Sequence, residues 1–254
     1  MLQTSFDMAL VRLWPDGDRT IKGLRAGMIA SAPEVFRRYG ITSPLLVAHV
    51  MAQVSHECGA GRAIVENLNY TARRMMQVWP SRFPTLASAQ AFAGNPRALA
   101  NKVYNGRMGN RPGSDDGWNF RGRGAVQTTG RDGYRRLAEM TGLDVLDDPD
   151  LVNDPAHFLA CGVADFLACG CLPFARADDL TGVTRRLNGG TIGLKARADW
   201  LKRWKAALAE APQGDVAVVP PPLPDAPASM PQATSFRTLL SKCLAVLVAA
   251  FRRS

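Results

Sequence analysis

The chain has 254 residues, of which 46% are hydrophobic and 21% charged, and its 31 Lys and Arg against 22 Asp and Glu give a net charge of +9. This composition excludes a collagen, a wholly disordered chain and a small disulfide-stabilised scaffold. The excess of positive charge predicts a polyanionic partner. Nucleic acid, anionic lipid and an anionic cell-wall polymer all remain open on charge alone.

The cysteines predict buried, reduced thiols and a reducing compartment. Their number is odd and no Cys-x-x-Cys pair occurs, which excludes complete internal pairing and, with only three histidines, speaks against a structural zinc site. The N-terminal segment lacks a basic region and a sustained apolar run, so no secretory signal is expected. The five cysteines are Cys58, Cys161, Cys169, Cys171 and Cys243.

Helical periodicity dominates residues 1–211, and this segment is predicted to form one domain. Strand-like alternation of Val, Ile and Thr is scarce, which favours a mainly α fold. The glycine-rich segment 106–124 is expected to be an irregular loop or a small hairpin. The predicted helices cover residues 20–38, 44–58, 87–103, 131–141, 155–169 and 195–210.

The composition changes at Pro212, since seven of the next twenty residues, counting Pro212 itself, are proline. We interpret residues 212–235 as a semi-rigid, Pro-rich linker. Residues 236–254 have apolar side chains at helical spacing with basic residues among them, which predicts a short C-terminal helix.

Three roles stay open for this C-terminal helix. It could dock on the domain or on a second chain, lie on a membrane surface, or span a membrane, although its sixteen-residue apolar stretch is short for a span. Deleting residues 212–254 and comparing membrane fractionation tests a membrane role, and unchanged partitioning would dismiss it.

Glu57 is the first candidate for catalysis. On a helix beginning after Pro44, its side chain projects within about 20° of Leu46 and Val50, at the C-terminal end of the apolar face. Burial and the negative end of the helix dipole both raise the pKa of a carboxyl group. Such a carboxyl group suits a general acid near neutral pH.

Glu66 is the second candidate. The segment from Cys58 to Arg62 carries two glycines and is expected to end the helix and reverse the chain, so that Glu66 faces Glu57 across a groove. Two carboxyl groups in different environments are the minimum apparatus for cleaving a glycosidic bond. Two glutamates at this spacing alone are a weak signal.

Two further segments carry polar side chains beside glycines. Phe120–Gly130 contains two glycines followed by Gln127 and Thr129, and it fits neither a phosphate-binding loop nor a dinucleotide-binding fingerprint. Arg185–Gly190 is expected to form a tight turn that presents Asn188.

Four motifs together resemble glycoside hydrolase family 19, and most of all its phage and prophage endolysin branch. They occur in the family's order and at similar spacing, over about residues 5–210. The motifs read Ser-His-Glu-Cys from residue 55, Glu-Asn-Leu-Asn-Tyr from 66, Gly-Arg-Gly-Ala-Val-Gln-Thr-Thr-Gly from 122, and Leu-Asn-Gly-Gly from 187.

The resemblance implies a lysozyme-like, α-rich domain of two lobes with a central cleft, and an inverting mechanism. Glu57 matches the family's general acid and Glu66 the base that activates water. Thr129 matches the hydroxyl residue that holds this water, and Gln127 and Asn188 match sugar-contacting positions.

Three more residues are candidates for contacts with substrate. Tyr70 closes the second motif, Trp118 lies in the glycine-rich segment as a platform for a sugar ring, and His56 neighbours Glu57 as a packing or orienting group. The sequence also departs from the family, because Cys58 replaces the usual Ser or Thr and Gly133 replaces a common Asn. No role is assigned to Gly133.

Other aromatic and acidic residues are interpreted as structural. Trp200 and Trp204 are four residues apart on a basic helix and are expected in the core. Asp115 and Asp116 are a candidate substitute base, but solvated loop charges are the preferred interpretation.

These features predict an endolysin that hydrolyses β-1,4 bonds between amino sugars of peptidoglycan, without metal or cofactor and as a monomer. It would accumulate in the host cytoplasm and reach the periplasmic wall after a partner protein opens the membrane, with possible inner-membrane contact through residues 236–254. A chitinase and a non-catalytic basic binder are the alternatives. Residues from 212 onward contribute +2 and the catalytic domain +7, so the cell wall is favoured over nucleic acid.

Overall fold

A computed structural model describes residues 2–210, and the predicted linker and C-terminal helix lie outside this range. A 3-10 helix covers Pro149–Asn153. The α-helices are α1 (Leu2–Leu13), α2 (Leu24–Tyr39), α3 (Pro44–Glu57), α4 (Ala72–Val78), α5 (Leu86–Gln90), α6 (Pro96–Tyr104), α7 (Asp116–Asn119), α8 (Arg131–Thr141), α9 (Phe158–Ala168), α10 (Leu172–Arg176), α11 (Leu180–Asn188) and α12 (Leu194–Ala209).

This architecture confirms the mainly α, lysozyme-like fold class. Within residues 2–210, extended pairing is limited to two isolated bridges, which join Val65 to Arg123 and Arg123 to Thr128. In the same range, no helix combines the length and apolar character that a membrane span requires.

Helix α3 is the central element of the domain. Ser43 caps its N-terminus by accepting a hydrogen bond from the Leu46 backbone, and Pro44 occupies the first helical position, where its missing N–H costs nothing. The sequence predicted one apolar face, but the structure buries almost the whole helix, because α9, α10, α11 and α12 all pack against it. Side chains on α3 are therefore placed by packing from several directions.

The buried apolar residues form three clusters. The largest contains side chains of α1, α2, α3, α9 and α12. A second cluster joins residues 68–104, and a third joins Phe120 and Tyr134 to the 3-10 helix and α9. The segment Phe120–Gly130, which follows α7, contributes Ala125 to the first cluster and Phe120 to the third. It therefore connects two separately packed parts of the domain.

The predicted helices agree with the structure to within a few residues, with one exception. The helix expected over 87–103 is divided into α5 and α6, since Asn95 caps α6 by accepting a hydrogen bond from the Ala98 backbone and Pro96 begins it. Helices α1, α4, α7, α10 and α11 were not predicted.

The expected tight turn at Asn188 is also wrong. Helix α11 continues to Asn188 and ends at Gly189, whose left-handed conformation (φ 72°) caps it. Asn188 therefore lies on a helix terminus rather than on a flexible turn.

Candidate active site

A compact turn connects Glu57 to Glu66. Helix α3 ends at Glu57, and the Ala63 N–H donates to the Cys58 carbonyl at 2.9 Å. Gly61 adopts φ +87°, and a Cβ at this position would lie 2.5 Å from the Gly17 carbonyl oxygen, so only glycine fits. The predicted end of the helix and the turn after it are therefore confirmed, and the placement of Glu66 across a groove from Glu57 stays a prediction.

Glu57 is buried beside a cation that the sequence analysis did not identify. Its side chain is 6% exposed, and Arg197 of α12 donates to Glu57 Oε1 from Nη2 at 2.5 Å. Arg197 is itself 1% exposed and also donates to Gln53, one turn earlier on α3. A buried charge is tolerated when it is paired in this way, so Glu57 and Arg197 depend on each other.

The segment after α11 packs against His56, the neighbour of Glu57. Asn188 Nδ2 donates to the Ile192 carbonyl at 3.3 Å, which closes the segment on itself. A Cβ on Gly193 would lie 2.6 Å from His56 Nε2, so the backbone passes directly over the imidazole. Burial, followed by the charge of Arg197, lowers the pKa of His56 to about 4, and the imidazole is neutral at pH 7.

A small extended hairpin organises the other half of the site. Arg123 and Thr128 exchange two backbone hydrogen bonds, and the Gly124 N–H donates to the Ile64 carbonyl at 2.9 Å. Gln127 lies within the hairpin turn at φ +57°. The segment 106–124 was predicted to be a loop or a hairpin. It supplies one side of this hairpin and also contains the short helix α7.

Glu66 is buried against this hairpin and against the second apolar cluster. Tyr104, the last residue of α6, donates its hydroxyl to Glu66 Oε1 at 2.6 Å, and the Gly122 N–H donates to Oε2 at 3.3 Å. Burial raises the pKa of Glu66, although the hydrogen bonds from Tyr104 and Gly122 and the charge of Arg121 act in the opposite direction.

Gly122 is the point where three predicted site residues meet. A Cβ placed on it would lie 3.3 Å from Glu66 Cβ, 3.1 Å from Gln127 Oε1 and 3.3 Å from Thr129 Oγ1. Thr129 donates its hydroxyl to the Gln127 carbonyl, and Gln127 Nε2 donates to the Ala63 carbonyl. The structure therefore brings Glu66, Gln127 and Thr129 together around Gly122, and their roles toward substrate stay predictions.

The carboxyl groups of Glu57 and Glu66, which this turn connects, consequently occupy different environments. Glu57 is paired with a guanidinium, whereas Glu66 accepts hydrogen bonds from a phenol and a peptide N–H. Paired titratable groups in contrasting surroundings are typical of acid and base assignments in enzymes.

Comparison with known proteins agrees with this arrangement. A curated protein of Haemophilus influenzae, described as a glycosyl hydrolase family 19 domain-containing protein, is 32% identical over 173 residues, which cover 67% of this chain and 84% of that protein. The chain belongs to glycosyl hydrolase family 19. It is a glycoside hydrolase of the chitinase and lysozyme type, although no protein-family model matches its sequence.

Two of the predicted sugar-contacting residues of this family 19 hydrolase belong to the second apolar cluster. Tyr70 is buried, and its ring centroid lies 5.2 Å from that of Trp79. Trp118 is half-buried on α7, not on a loop, and the guanidinium carbon of Arg121 lies 3.7 Å from its ring centroid. Their contacts with substrate stay predictions.

The interpretation of the two adjacent aspartates as solvated charges is wrong for Asp116. This residue is 2% exposed and pairs with Arg111 and Arg131. Burial opposes its charge, but hydrogen bonds from Arg111 outweigh burial and lower the pKa of Asp116. Hydrogen bonds from Arg97 and Asn101 lower the pKa of Asp115 to about 2, so both aspartates of the hydrolase are structural anions.

The thiols follow the sequence prediction as far as the structure describes them. Cys58, Cys161 and Cys171 are buried and Cys169 is half-buried, and all four are free thiols. Burial raises the pKa of Cys58 and of Cys161 to about 12, which leaves both inert. Cys243 lies outside the described residues.

Of the two tryptophans expected in the core, Trp204 is confirmed there, and Trp200 is only partly buried against it. Trp204 is fully buried and donates its indole N–H to Ser55 Oγ at 2.9 Å, as Trp14 also does. Ser55 of the first family motif thus serves packing, whereas Trp200 is half-buried beneath Arg203.

Sequence reasoning missed Arg197 and Tyr104. Arg197 lies on the same buried stripe of α12 as Leu201 and Trp204. A charged residue at an apolar position of a helix was the signal that could have identified it, as it identified Glu57. Tyr104 ends α6 beside the buried Val103, and nothing in its local pattern distinguishes it from an ordinary core aromatic.

Replacing Tyr104 by Phe is expected to shift the acidic limb of the hydrolase's pH profile to higher pH. The change removes one hydrogen bond that favours ionised Glu66, so the raised pKa of Glu66 rises further. If Glu66 acts as a base, activity requires its ionised form and is lost as pH falls through this pKa. The measurement is kcat/KM against pH with a soluble glycan substrate.

The matched control is Tyr39→Phe, since Tyr39 donates its hydroxyl to the Met140 carbonyl and has no described contact with Glu66. The limb of this variant should coincide with that of the wild type. If Tyr104→Phe instead lowered kcat/KM by the same factor at every pH and left the acidic limb at the wild-type pH, Tyr104 would not act through the pKa of Glu66.

Proposed function

We propose that this glycoside hydrolase is an endolysin that cleaves β-1,4 bonds between amino sugars of peptidoglycan, with inversion at the anomeric carbon. The observation that carries the proposal is the pair of buried carboxyl groups, Glu57 and Glu66, held in different environments on one turn. The endolysin-like motif order supports it.

Glu57 acts as the general acid in this mechanism. Its protonated form donates to the glycosidic oxygen as the bond to the anomeric carbon breaks, and Arg197 then stabilises the carboxylate that is left. His56, neutral at pH 7, adds no charge beside the acid.

Glu66 acts as the general base. Its ionised form removes a proton from a water that attacks the anomeric carbon from the opposite face of the sugar. The Thr129 hydroxyl, which shares the space around Gly122 with Glu66, is the candidate to hold this water, and Gln127 and Asn188 are candidates to hold the sugar. Inversion requires the carboxyl groups to lie about 6.5–9.5 Å apart, with room for the water.

The charge of the domain supports a cell-wall substrate over neutral chitin. Residues 1–211 carry a net +7, and peptidoglycan bears carboxylates, so long-range attraction favours their encounter. We place the enzyme in the host cytoplasm as a monomer until a partner protein opens the membrane, with residues 236–254 as a candidate membrane contact.

Product analysis of purified Gram-negative sacculi tests the proposal. We expect soluble muropeptides, with one new reducing end for each glycosidic bond cleaved. Mass spectrometry identifies which amino sugar carries each new end. Parallel digestion of an N-acetylglucosamine polymer is the comparison. Chito-oligomers without muropeptides would establish a chitinase instead, and no new reducing ends from either polymer would favour a non-catalytic binder.

A further inference from the structure

Arg121 lies directly beside the proposed base. It precedes Gly122, whose backbone N–H donates to Glu66 Oε2 and whose carbonyl accepts from the Glu66 N–H at 2.8 Å. The charge of Arg121 is also one of the influences that lower the pKa of Glu66 against the larger effect of burial. Arg121 is therefore tied to Glu66 through the backbone of the next residue, and its charge acts on the Glu66 carboxyl group.

The indole of Trp118 orders this guanidinium. The guanidinium carbon lies 3.7 Å from the ring centroid, and Nη1 donates to the Trp118 carbonyl at 2.9 Å. Stacking on an aromatic face and one hydrogen bond restrict a side chain that is otherwise rich in rotamers. Arg121 is thus oriented before any ligand arrives, and this lowers the entropic cost of binding.

Arg121 also lacks the counter-ion that its neighbours have. Arg111, Arg123 and Arg197 each pair with an aspartate or glutamate. Across residues 2–210, no carboxylate oxygen lies within 4.0 Å of a nitrogen of the Arg121 guanidinium, which is half-buried. Burial, followed by the charge of Arg123, lowers the pKa of Arg121, as expected for a cation without full compensation.

We propose that Arg121 binds a carboxylate of the substrate next to the bond that is cleaved, and so selects carboxylate-bearing glycan over neutral glycan. The inference rests on the proposed function and adds the residue that recognises the muramic acid substituent. A planar guanidinium fork matches a carboxylate with two parallel hydrogen bonds, which a neutral N-acetyl group cannot accept. Trp118 then acts through Arg121, as a positioning residue.

The carboxylate has two sources in peptidoglycan, namely the stem peptide and the lactyl group of a muramic acid whose peptide has been removed. Three substrates separate them: native sacculi, sacculi whose carboxyl groups have been converted to amides, and glycan strands stripped of peptide by an amidase. Only the stripped strands present a free lactyl carboxylate.

The variants are Arg121→Gln, which removes the charge, and Arg121→Lys, which keeps the charge without the fork. The matched control is Arg203→Gln, because Arg203 stacks on Trp200 of α12 at 4.5 Å and is exposed. Reducing ends are measured at a pH well above the acidic limb, where Glu66 is ionised in every variant.

On native sacculi we expect kcat/KM of Arg121→Gln to fall about 10-fold or more, mainly through KM, since a hydrogen-bonded charge contributes about 1.5–3 kcal/mol. Arg121→Lys should lie between this variant and the wild type, and Arg203→Gln should match the wild type. On amidated sacculi the wild type should fall to the level of Arg121→Gln. The gap on native sacculi identifies a stem-peptide carboxylate, because native strands carry no free lactyl carboxylate. A gap that persists on stripped strands shows that Arg121 also binds the lactyl carboxylate, and its disappearance there restricts the contact to the stem peptide.

An equal loss on native and amidated sacculi would overturn the inference, because Arg121 would then act on Glu66 or the hairpin rather than on the substrate. An unchanged kcat/KM on native sacculi would overturn it as well. Failure of the proposed function is separate, since it appears as a wild type that releases no new reducing ends from sacculi.

Discussion

Glu57→Gln is expected to lower the rate of glycosidic cleavage by about 10²–10⁴-fold, which is the usual contribution of a positioned general acid. The amide cannot donate the proton that the leaving oxygen needs, while its carbonyl still accepts the hydrogen bond from Arg197. The loss should therefore appear in kcat. The measurement is the release of reducing ends from sacculi, with turbidity loss of permeabilised Gram-negative cells as a second readout.

The control is Glu34→Gln, an exposed glutamate of α2 that pairs with Arg37. This variant and Glu57→Gln should both retain the helical circular dichroism of the wild type, which excludes misfolding as the cause. Retention of more than about a tenth of the activity by Glu57→Gln would remove Glu57 from the acid role.

Arg197→Met is expected to lower the free energy of unfolding by about 3–5 kcal/mol when Glu57 is ionised, because that carboxylate is then buried without a partner. For a domain of this size, such a loss corresponds to a fall in Tm of roughly 6–20 °C. Methionine fills much of the arginine volume, so the effect of an empty cavity is small. Thermal unfolding at pH 7 measures the change.

A double-mutant cycle isolates the pair. Arg197→Met leaves the Glu57 carboxylate without its partner, and Glu57→Gln removes that charge. The double variant should therefore be more stable than Arg197→Met alone. The matched control is Arg203→Met on the exposed face of α12, expected within about 0.5 kcal/mol of the wild type. Additive losses in the cycle would show that Arg197 contributes by packing and not through Glu57.

Local signals were sufficient to predict the helices and the turn that position the candidate site. The end of α3 at Glu57 follows from the glycines after it, and the helix over residues 131–141 agrees with α8 at both ends. Glycine at position 122 leaves room for three site residues around one missing Cβ.

The errors also have physical causes. Periodicity alone joined α5 to α6, although Asn95 and Pro96 carried the signal for a new helix start. Asp116 was interpreted as solvated because a charge in a polar segment is usually exposed. Its arginine partners include Arg131, fifteen positions away on α8, and become its neighbours only when the chain folds.

Periodicity, glycine conformation and motif order were enough to predict the helical class, the family, and a turn between Glu57 and Glu66, because each of these depends on residues close together in the chain. The partners of the two glutamates became visible only in the folded domain. Arg197 reaches Glu57 from 140 residues away and Tyr104 reaches Glu66 from 38. Such contacts form because packed helices exclude water and bring together polar groups that are distant in the chain. A local sequence pattern does not indicate which distant residue will make the contact.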